Sequence, residues 1–189
     1  MGTLILAPAA TFLSPLGDLL LFQRSALEGG ELWRLLSGHF VHFSGNHLTW
    51  DLIVFAGLWV GLWSVTRSLH LGMLIFSSIA ISLGVWAYSD LSTYGGLSGL
   101  CTTLYAALVI KVAQQNRGFL RWVTGFAYLG VLAKLTAEYA SNTTIFATHS
   151  GWVPVPLAHL IGLLVGTAWP LTDPKRQVNG RRKLTAPLF

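Results

Sequence analysis

The chain is poor in charged residues and in cysteine. Only 10% of its 189 residues are Asp, Glu, Lys or Arg, whereas 53% are hydrophobic. A soluble domain of this size needs a more polar surface, so we expect a membrane protein. The single cysteine, Cys101, excludes an intramolecular disulfide framework and a zinc site built from cysteines.

Basic residues outnumber acidic ones, 12 against 7, but they do not form a nucleic-acid footprint. They stand in short stretches beside apolar runs, where they report membrane topology. The first apolar run has neither a basic stretch before it nor a small-residue cleavage site after it, so we expect no cleavable signal peptide. We therefore expect a lipid bilayer, and no nucleic acid, as a partner.

Apolar runs long enough to cross a bilayer as helices recur along the chain. They predict spans at residues 3–22, 42–63, 69–88, 98–111 and 119–139, and a sixth that ends near residue 171. Pro8 and Pro15 interrupt the first run. A polar, aromatic stretch at residues 23–38 is too charged to span and is predicted to lie in the interface. The predicted fold is all-α: a polytopic six-helix bundle over residues 1–174, then a basic cytoplasmic tail at 175–189.

The basic residues also predict orientation. Most of them follow the second, fourth and sixth spans, which end on one side: Arg67, Lys111, Arg117, Arg121, Lys175, Arg176, Arg181, Arg182 and Lys183. By the positive-inside rule that side is cytoplasmic, and so are both termini. The interfacial stretch and the polar loop at residues 141–156 then face outward.

A serine between glycines opens the fourth span, in the segment Gly96-Leu97-Ser98-Gly99. Alone, such a segment is more often a small-residue contact between helices. The sixth span, however, carries His159, and a histidine at membrane depth indicates function. Ser98 lies about 20 Å and His159 about 21 Å from the cytoplasmic ends of their helices at 1.5 Å per residue. Two helices of the same direction therefore carry a hydroxyl and an imidazole at equal depth.

Small residues predict that these two helices pack closely. Gly99 and Thr103 lie four residues apart on the fourth span, and Gly162 and Gly166 share the face of His159. We expect a hydrogen bond between Ser98 Oγ and the imidazole, which can then act as a base. The alternative is that the imidazole of His159 only donates a hydrogen bond to a backbone carbonyl and has no catalytic role.

Acyl transfer also requires hydrogen-bond donors for a developing oxyanion. Ser98 begins a helix, so its N–H has no intrahelical acceptor. At the start of the second span, His47 and Asp51 are four residues apart and are predicted to share a helix face, and so are His42 and Asn46. A metal site is the alternative, although the spacing is not a metal signature. It would use the three histidines of this stretch: His39, His42 and His47.

Taken together, these motifs resemble the rhomboid family of intramembrane serine proteases. The resemblance rests on G-x-S-G at residues 96–99, A-H-x-x-G-x-x-x-G at 158–166, E-x-W-R at 31–34 and the two-histidine start of the second span. The compact six-span build and the segments at 38–42 and 153–159 look most like the bacterial rhombosortase branch. That branch is associated with processing proteins that end in a GlyGly-CTERM anchor, at the periplasmic side of Gram-negative inner membranes.

The resemblance implies a role for each matching residue. Ser98 would be the nucleophile and His159 the general base, a dyad without a third acidic member. His47 would be the oxyanion-hole histidine, while Gly96 and Gly99 would give room to the substrate backbone. The Trp-Arg pair at residues 33–34 would brace the interfacial element.

Asp51 departs from the resemblance, since the family usually has asparagine at that position. An ionised carboxylate would repel an oxyanion. Asp51 is therefore expected either to be protonated through desolvation or to accept a hydrogen bond from His47. His42 and Asn46 remain the alternative oxyanion pair.

The expected activity is that of a serine endopeptidase acting on membrane-anchored proteins in or near a transmembrane segment, without a metal or organic cofactor. It would be a multi-pass protein of the bacterial inner membrane, with its site open to the periplasm. The second and fifth spans would gate substrate access, capped by the loop at 141–156.

Lys134 and Glu138 are expected to form an ion pair at the outer end of the fifth span. A catalytically inactive rhomboid-like protein that binds membrane clients is the alternative; a solute transporter would predict repeats that the sequence lacks.

Overall fold

The computed structural model describes residues 16–141 and 155–172. Its short N-terminal elements are α1 (Leu16–Leu20), β1 (Phe22–Gln23), α2 (Arg24–Glu28), α3 (Arg34–Ser37) and a 3-10 turn (Gly38–Phe40). The longer elements are α4 (Gly45–Thr66), α5 (Leu71–Tyr88), α6 (Ser98–Gln115), α7 (Phe119–Ser141) and α8 (Pro156–Thr172), with β2 (Thr93–Tyr94) between α5 and α6. Strands β1 and β2 pair antiparallel, with Phe22 opposite Tyr94. The architecture is all-α apart from this short pair.

Helices α4 to α8 lie where the second to sixth spans were predicted. By length and hydropathy, α4 and α5 each suffice to cross a membrane, and α8 is a shorter apolar helix. The predicted start of the second span at His42 is wrong, because Ser44 caps α4: its Oγ accepts the His47 N–H at 3.1 Å. The basic tail, most of the first span and most of the loop at 141–156 lie outside the described residues.

The distribution of polarity is inverted relative to a soluble protein. Serine and threonine side chains are buried among the helices, whereas large apolar side chains face outward. Trp50 on α4 is 61% exposed and Phe126 on α7 is 71% exposed, while Ser82 and Thr103 are fully buried. Lipid suits such an outer surface, and buried hydroxyls hold membrane helices together by hydrogen bonding.

The stretch predicted to lie in the interface folds as α2, a turn and α3. Arg34 is buried and donates to the carbonyl oxygens of Asp18 and Leu21 at 2.6 and 2.5 Å, and it pairs with Glu31 at 2.7 Å. Trp33 donates its indole N–H to the carbonyl of Leu19 at 3.1 Å. These contacts tie α3 to α1, so the Trp-Arg pair braces this region as expected.

Helix α6 holds the central position. It packs against α4, α5, α7 and α8, and α8 also packs against α5 and α7. The N-terminus of α6 is further anchored by β2, because β2 pairs with β1 close to Arg24 and the N-terminal elements. Ser98 is the first residue of α6, so this arrangement fixes the position of the serine on several sides.

Candidate active site

Ser98 and His159 lie in direct contact, on α6 and α8. The distance from His159 Nε2 to Ser98 Oγ is 2.9 Å, which is a hydrogen bond. Both residues are half-buried. The hydrogen bond expected from the equal depths is present, and the imidazole is placed to accept the hydroxyl proton.

Glycines on α8 allow the two helices to approach this closely. A Cβ added to Gly162 would collide with the carbonyl oxygen of Gly99, and one added to Gly166 would collide with that of Thr103. The backbones of α6 and α8 are therefore in contact at two successive turns. The predicted small-residue packing is confirmed, and it sets the distance between Ser98 and His159.

This packing predicts a sharp effect of a single methyl group. Gly166→Ala should lower the free energy of unfolding by about 2 kcal/mol or more, because overpacking against rigid backbone costs about 1–3 kcal/mol. It should also slow any chemistry that depends on the dyad, because α8 must move away from α6. The measurement is thermal unfolding in detergent micelles, with the reaction rate determined on the same samples.

Gly130→Ala provides the matched control, since nothing lies within 4 Å of a Cβ at that position on α7. Alanine should be neutral or stabilise the helix there by up to about 1 kcal/mol. Equal destabilisation by the two substitutions would contradict the proposed contact between α6 and α8.

Gly96 brings the start of α6 against α4. Its backbone φ angle is +113°, a value that residues other than glycine rarely adopt. A Cβ there would lie 2.8 Å from His47 Nε2 and 3.3 Å from Asp51 Oδ2. Only glycine lets the loop before Ser98 close over these two side chains.

Gly99 leaves room for neighbouring parts of the protein. A Cβ at Gly99 would meet the Tyr94 hydroxyl and Ile81 Cδ1, each at 3.1 Å, and the Ala158 carbonyl at 3.4 Å. Gly99 is buried among α5, β2 and α8, where it permits close packing, and its expected role in making space for a substrate backbone stays a prediction.

Asp51 joins α4 to the N-terminus of α6. Its Oδ2 accepts the backbone N–H of Leu97 at 2.8 Å. The same oxygen lies 3.2 Å from His42 Nε2 and 3.3 Å from His47 Nε2. Leu97 caps α6, so the carboxylate sits at the positive end of the helix that carries Ser98. Of the two states considered for Asp51, these contacts favour the one in which it accepts hydrogen bonds.

The alternative oxyanion pair is not assembled. His42 precedes α4 and is buried, whereas Asn46 is in the first turn of α4 and is exposed. The four-residue spacing predicted a shared face only because the helix was expected to begin earlier. His42 instead meets Asp51, and its ring contacts that of His47 edge to face at 4.9 Å between centroids. Sequence reasoning missed this contact, because no regular spacing connects residues 42 and 51.

His39 lies apart from the other two histidines. Its Nε2 is 3.0 Å from the Ser78 carbonyl and 3.1 Å from Ser82 Oγ, both on α5. Burial lowers the pKa of His39 to about 4, against the opposing effect of hydrogen bonds to the Ser78 and Gly96 backbone, so the ring is neutral near pH 7. The three histidines therefore do not together form the metal site that was the alternative.

The predicted ion pair on α7 is present. Lys134 Nζ and Glu138 Oε2 are 2.7 Å apart. Glu138 is only 1% exposed, so this carboxylate is deep in the bundle. Lys134 compensates the negative charge of Glu138, which lipid could not do.

Comparison with known proteins gives one family. The model of the Rhomboid domain matches residues 29–176, which is most of the chain and includes α3 to α8. The matched range contains Ser98, His159, His47 and Asp51. No curated protein gives a significant match to the chain.

Proposed function

This chain belongs to the rhomboid family and is therefore an integral membrane protein, and on that premise we propose that it is an intramembrane serine endopeptidase. Ser98 is the nucleophile and His159 the general base. The observation that carries the proposal is the 2.9 Å contact between His159 Nε2 and Ser98 Oγ, made by two helices of an apolar chain. An inactive client-binding protein has no need of this contact.

The chemistry follows from the geometry of the dyad. Ser98 Oγ attacks the substrate carbonyl carbon while His159 Nε2 takes the hydroxyl proton. The imidazolium then gives that proton to the leaving amine as the peptide C–N bond breaks, which leaves an acyl-enzyme on Ser98. Water, deprotonated by His159, attacks the ester and releases the new carboxyl end and free Ser98.

The developing oxyanion is stabilised at the N-terminus of α6. The Ser98 N–H belongs to the first helical turn, and the helix dipole favours negative charge there. His47 is the proposed side-chain donor, since it is buried beside the Gly96 turn. The negative charge of Asp51 is offset locally, because the carboxylate already accepts the Leu97 N–H at the positive end of α6.

The substrates are membrane-anchored proteins, and the proposed branch is rhombosortase-like, acting on C-terminal GlyGly-CTERM anchors. The proposed topology is six spans in a bacterial inner membrane, with both termini cytoplasmic and the site open to the periplasm. Ser98 starts α6 on the side opposite its basic end at Lys111, which supports that orientation. Helices α4 and α7 are proposed to gate the access of substrate to the site.

The test is cleavage in proteoliposomes of a model substrate that carries a Gly-Gly pair before a C-terminal transmembrane anchor. The intact protein should release the soluble part of the substrate, and Ser98→Ala should not. Binding of substrate by both proteins without cleavage by either would support the client-binding alternative. Equal cleavage after Gly-Gly is replaced by Leu-Leu would remove the rhombosortase-like assignment and leave the protease.

A further inference from the structure

Three potential metal ligands converge beside the dyad. One ligand atom each from His42, His47 and Asp51 lies within 4.8 Å of the other two, and all three residues are buried. We propose that this cluster is an inhibitory site for a divalent transition metal of the Zn²⁺ type. The expectation that the protein needs no metal for its reaction is unaffected, because the proposed ion acts as an inhibitor.

Two of the three ligand-atom distances match those around a four-coordinate ion, and all three ligand atoms lie within 4.8 Å of one another. Zn–N bonds of about 2.0–2.1 Å and Zn–O bonds of about 2.0–2.2 Å in a tetrahedron place neighbouring ligand atoms about 3.3–3.5 Å apart. Asp51 Oδ2 lies 3.2 Å from His42 Nε2 and 3.3 Å from His47 Nε2. Small movements of the side chains would thus suffice to bind the ion.

The hydrogen bonding of His42 also suits a metal ligand. Its Nδ1 is 3.2 Å from the carbonyl oxygen of Phe40, and a carbonyl can only accept, so Nδ1 carries the hydrogen. In the neutral ring, the lone pair of Nε2 then faces Asp51 Oδ2, which already accepts the Leu97 N–H. A divalent ion placed between these two electron-rich atoms would bind to both. A metal-binding histidine characteristically donates its other N–H to a carbonyl in this way.

The ligand set and the space select the class of metal. Two imidazoles and one carboxylate are the ligands of zinc sites that keep a fourth position for water, and they disfavour Mg²⁺ and Ca²⁺, which prefer oxygen. Gly96 lines one side of the cluster, since a Cβ there would lie 2.8 Å from His47 Nε2. Any larger residue at position 96 would crowd the side chains of His47 and Asp51.

The proposed inhibition of cleavage rests on the proposed function, whereas the binding of the metal ion does not. An ion on His47 Nε2 would remove the side-chain donor proposed for the oxyanion and would place a blocking group beside Ser98. The positive end of α6 also adjoins the cluster and weakens cation binding. We therefore expect a micromolar dissociation constant, weaker than that of a structural zinc site, and reversal by a chelator.

The experiment is a Co²⁺ titration of the metal-stripped full-length protein in detergent, followed by visible absorption. The result expected is one equivalent of Co²⁺ with the intense ligand-field bands of four-coordinate geometry, displaced by Zn²⁺. His42→Ala should weaken binding by more than about a hundredfold and abolish the bands, because it removes a primary ligand. His70→Ala is the matched control, since His70 lies beyond the far end of α4, where its Nε2 contacts Thr66 Oγ1 at 2.8 Å.

A second variant guards against misfolding. Asp51→Asn keeps the shape of the side chain and should also lose the bands, with helicity by circular dichroism confirming that each variant is folded. Absence of stoichiometric Co²⁺ bands in the unmodified protein, or their persistence in folded His42→Ala and Asp51→Asn, would overturn the metal site.

Cleavage assays on the same preparations separate this proposal from the protease proposal. Zn²⁺ should inhibit cleavage by the unmodified protein over the concentration range in which it displaces Co²⁺. Metal binding without any cleavage would remove the protease and leave the site. Cleavage without metal binding would remove only the site, and metal binding without inhibition would remove the inhibitory role.

Discussion

Replacing His159 with alanine should abolish cleavage of a membrane-anchored substrate while the helices stay folded. Ser98 Oγ would lose the only side-chain base that the described residues place at 2.9 Å from it. Loss of the base in a serine protease reduces the rate by about a thousandfold or more. The measurement is the initial rate of substrate cleavage in proteoliposomes, with helicity and thermal unfolding determined on the same protein.

His70→Ala serves as the control for His159→Ala, because it removes an imidazole from the opposite end of the bundle. Its cleavage rate should stay within about twofold of the unmodified protein, as for a substitution outside the site. Activity of folded His159→Ala above about a tenth of the original would mean that another group takes the serine proton.

Replacing Asp51 should have the second largest effect, and the effect should depend on the substituent. Asp51→Leu removes the acceptor of the Leu97 N–H, and an unsatisfied buried donor costs about 1–3 kcal/mol. The N-terminus of α6 would shift, and Ser98 with it, so cleavage should fall more than about a hundredfold, because small misplacements cost that much.

Asp51→Asn should instead retain cleavage within about tenfold, which is a loss of up to about 1.4 kcal/mol. The asparagine amide oxygen can still accept the Leu97 N–H, and the amide N–H can donate toward the oxyanion, as the family's usual asparagine would. The measurement is again the initial rate, together with the unfolding midpoint of both variants. An inactive, folded Asp51→Asn would show that the negative charge itself is required.

The Ser98–His159 contact was predictable because it depends on regular features. Helix rise converts residue counts into depth, and spacing of small residues identifies the faces that pack. Gly162 and Gly166 mark the face of α8 that meets α6, and His159 is on that face. Neither a loop conformation nor an irregular turn enters this inference, so errors of a few residues at helix ends did not affect it.

The cluster around Asp51 was only partly predictable, because it depends on irregular backbone. His47 and Asp51 share a helix, and their proximity followed from spacing of four residues. His42 joins them from the irregular segment before α4, which begins only after the capping residue Ser44. The positive φ of Gly96 and its contact with His47 also escape sequence patterns, since they depend on two segments folding together.

The central claim is that Ser98 is a nucleophile activated inside the bundle, and covalent labelling tests it most directly. The protein in native membranes is treated with a fluorophosphonate or isocoumarin probe, and the modified residue is mapped by mass spectrometry. The account predicts a single adduct on Ser98, absent from Ser98→Ala and strongly reduced in His159→Ala. No adduct on the folded, metal-free protein, or equal labelling of Ser98→Ala, would contradict it.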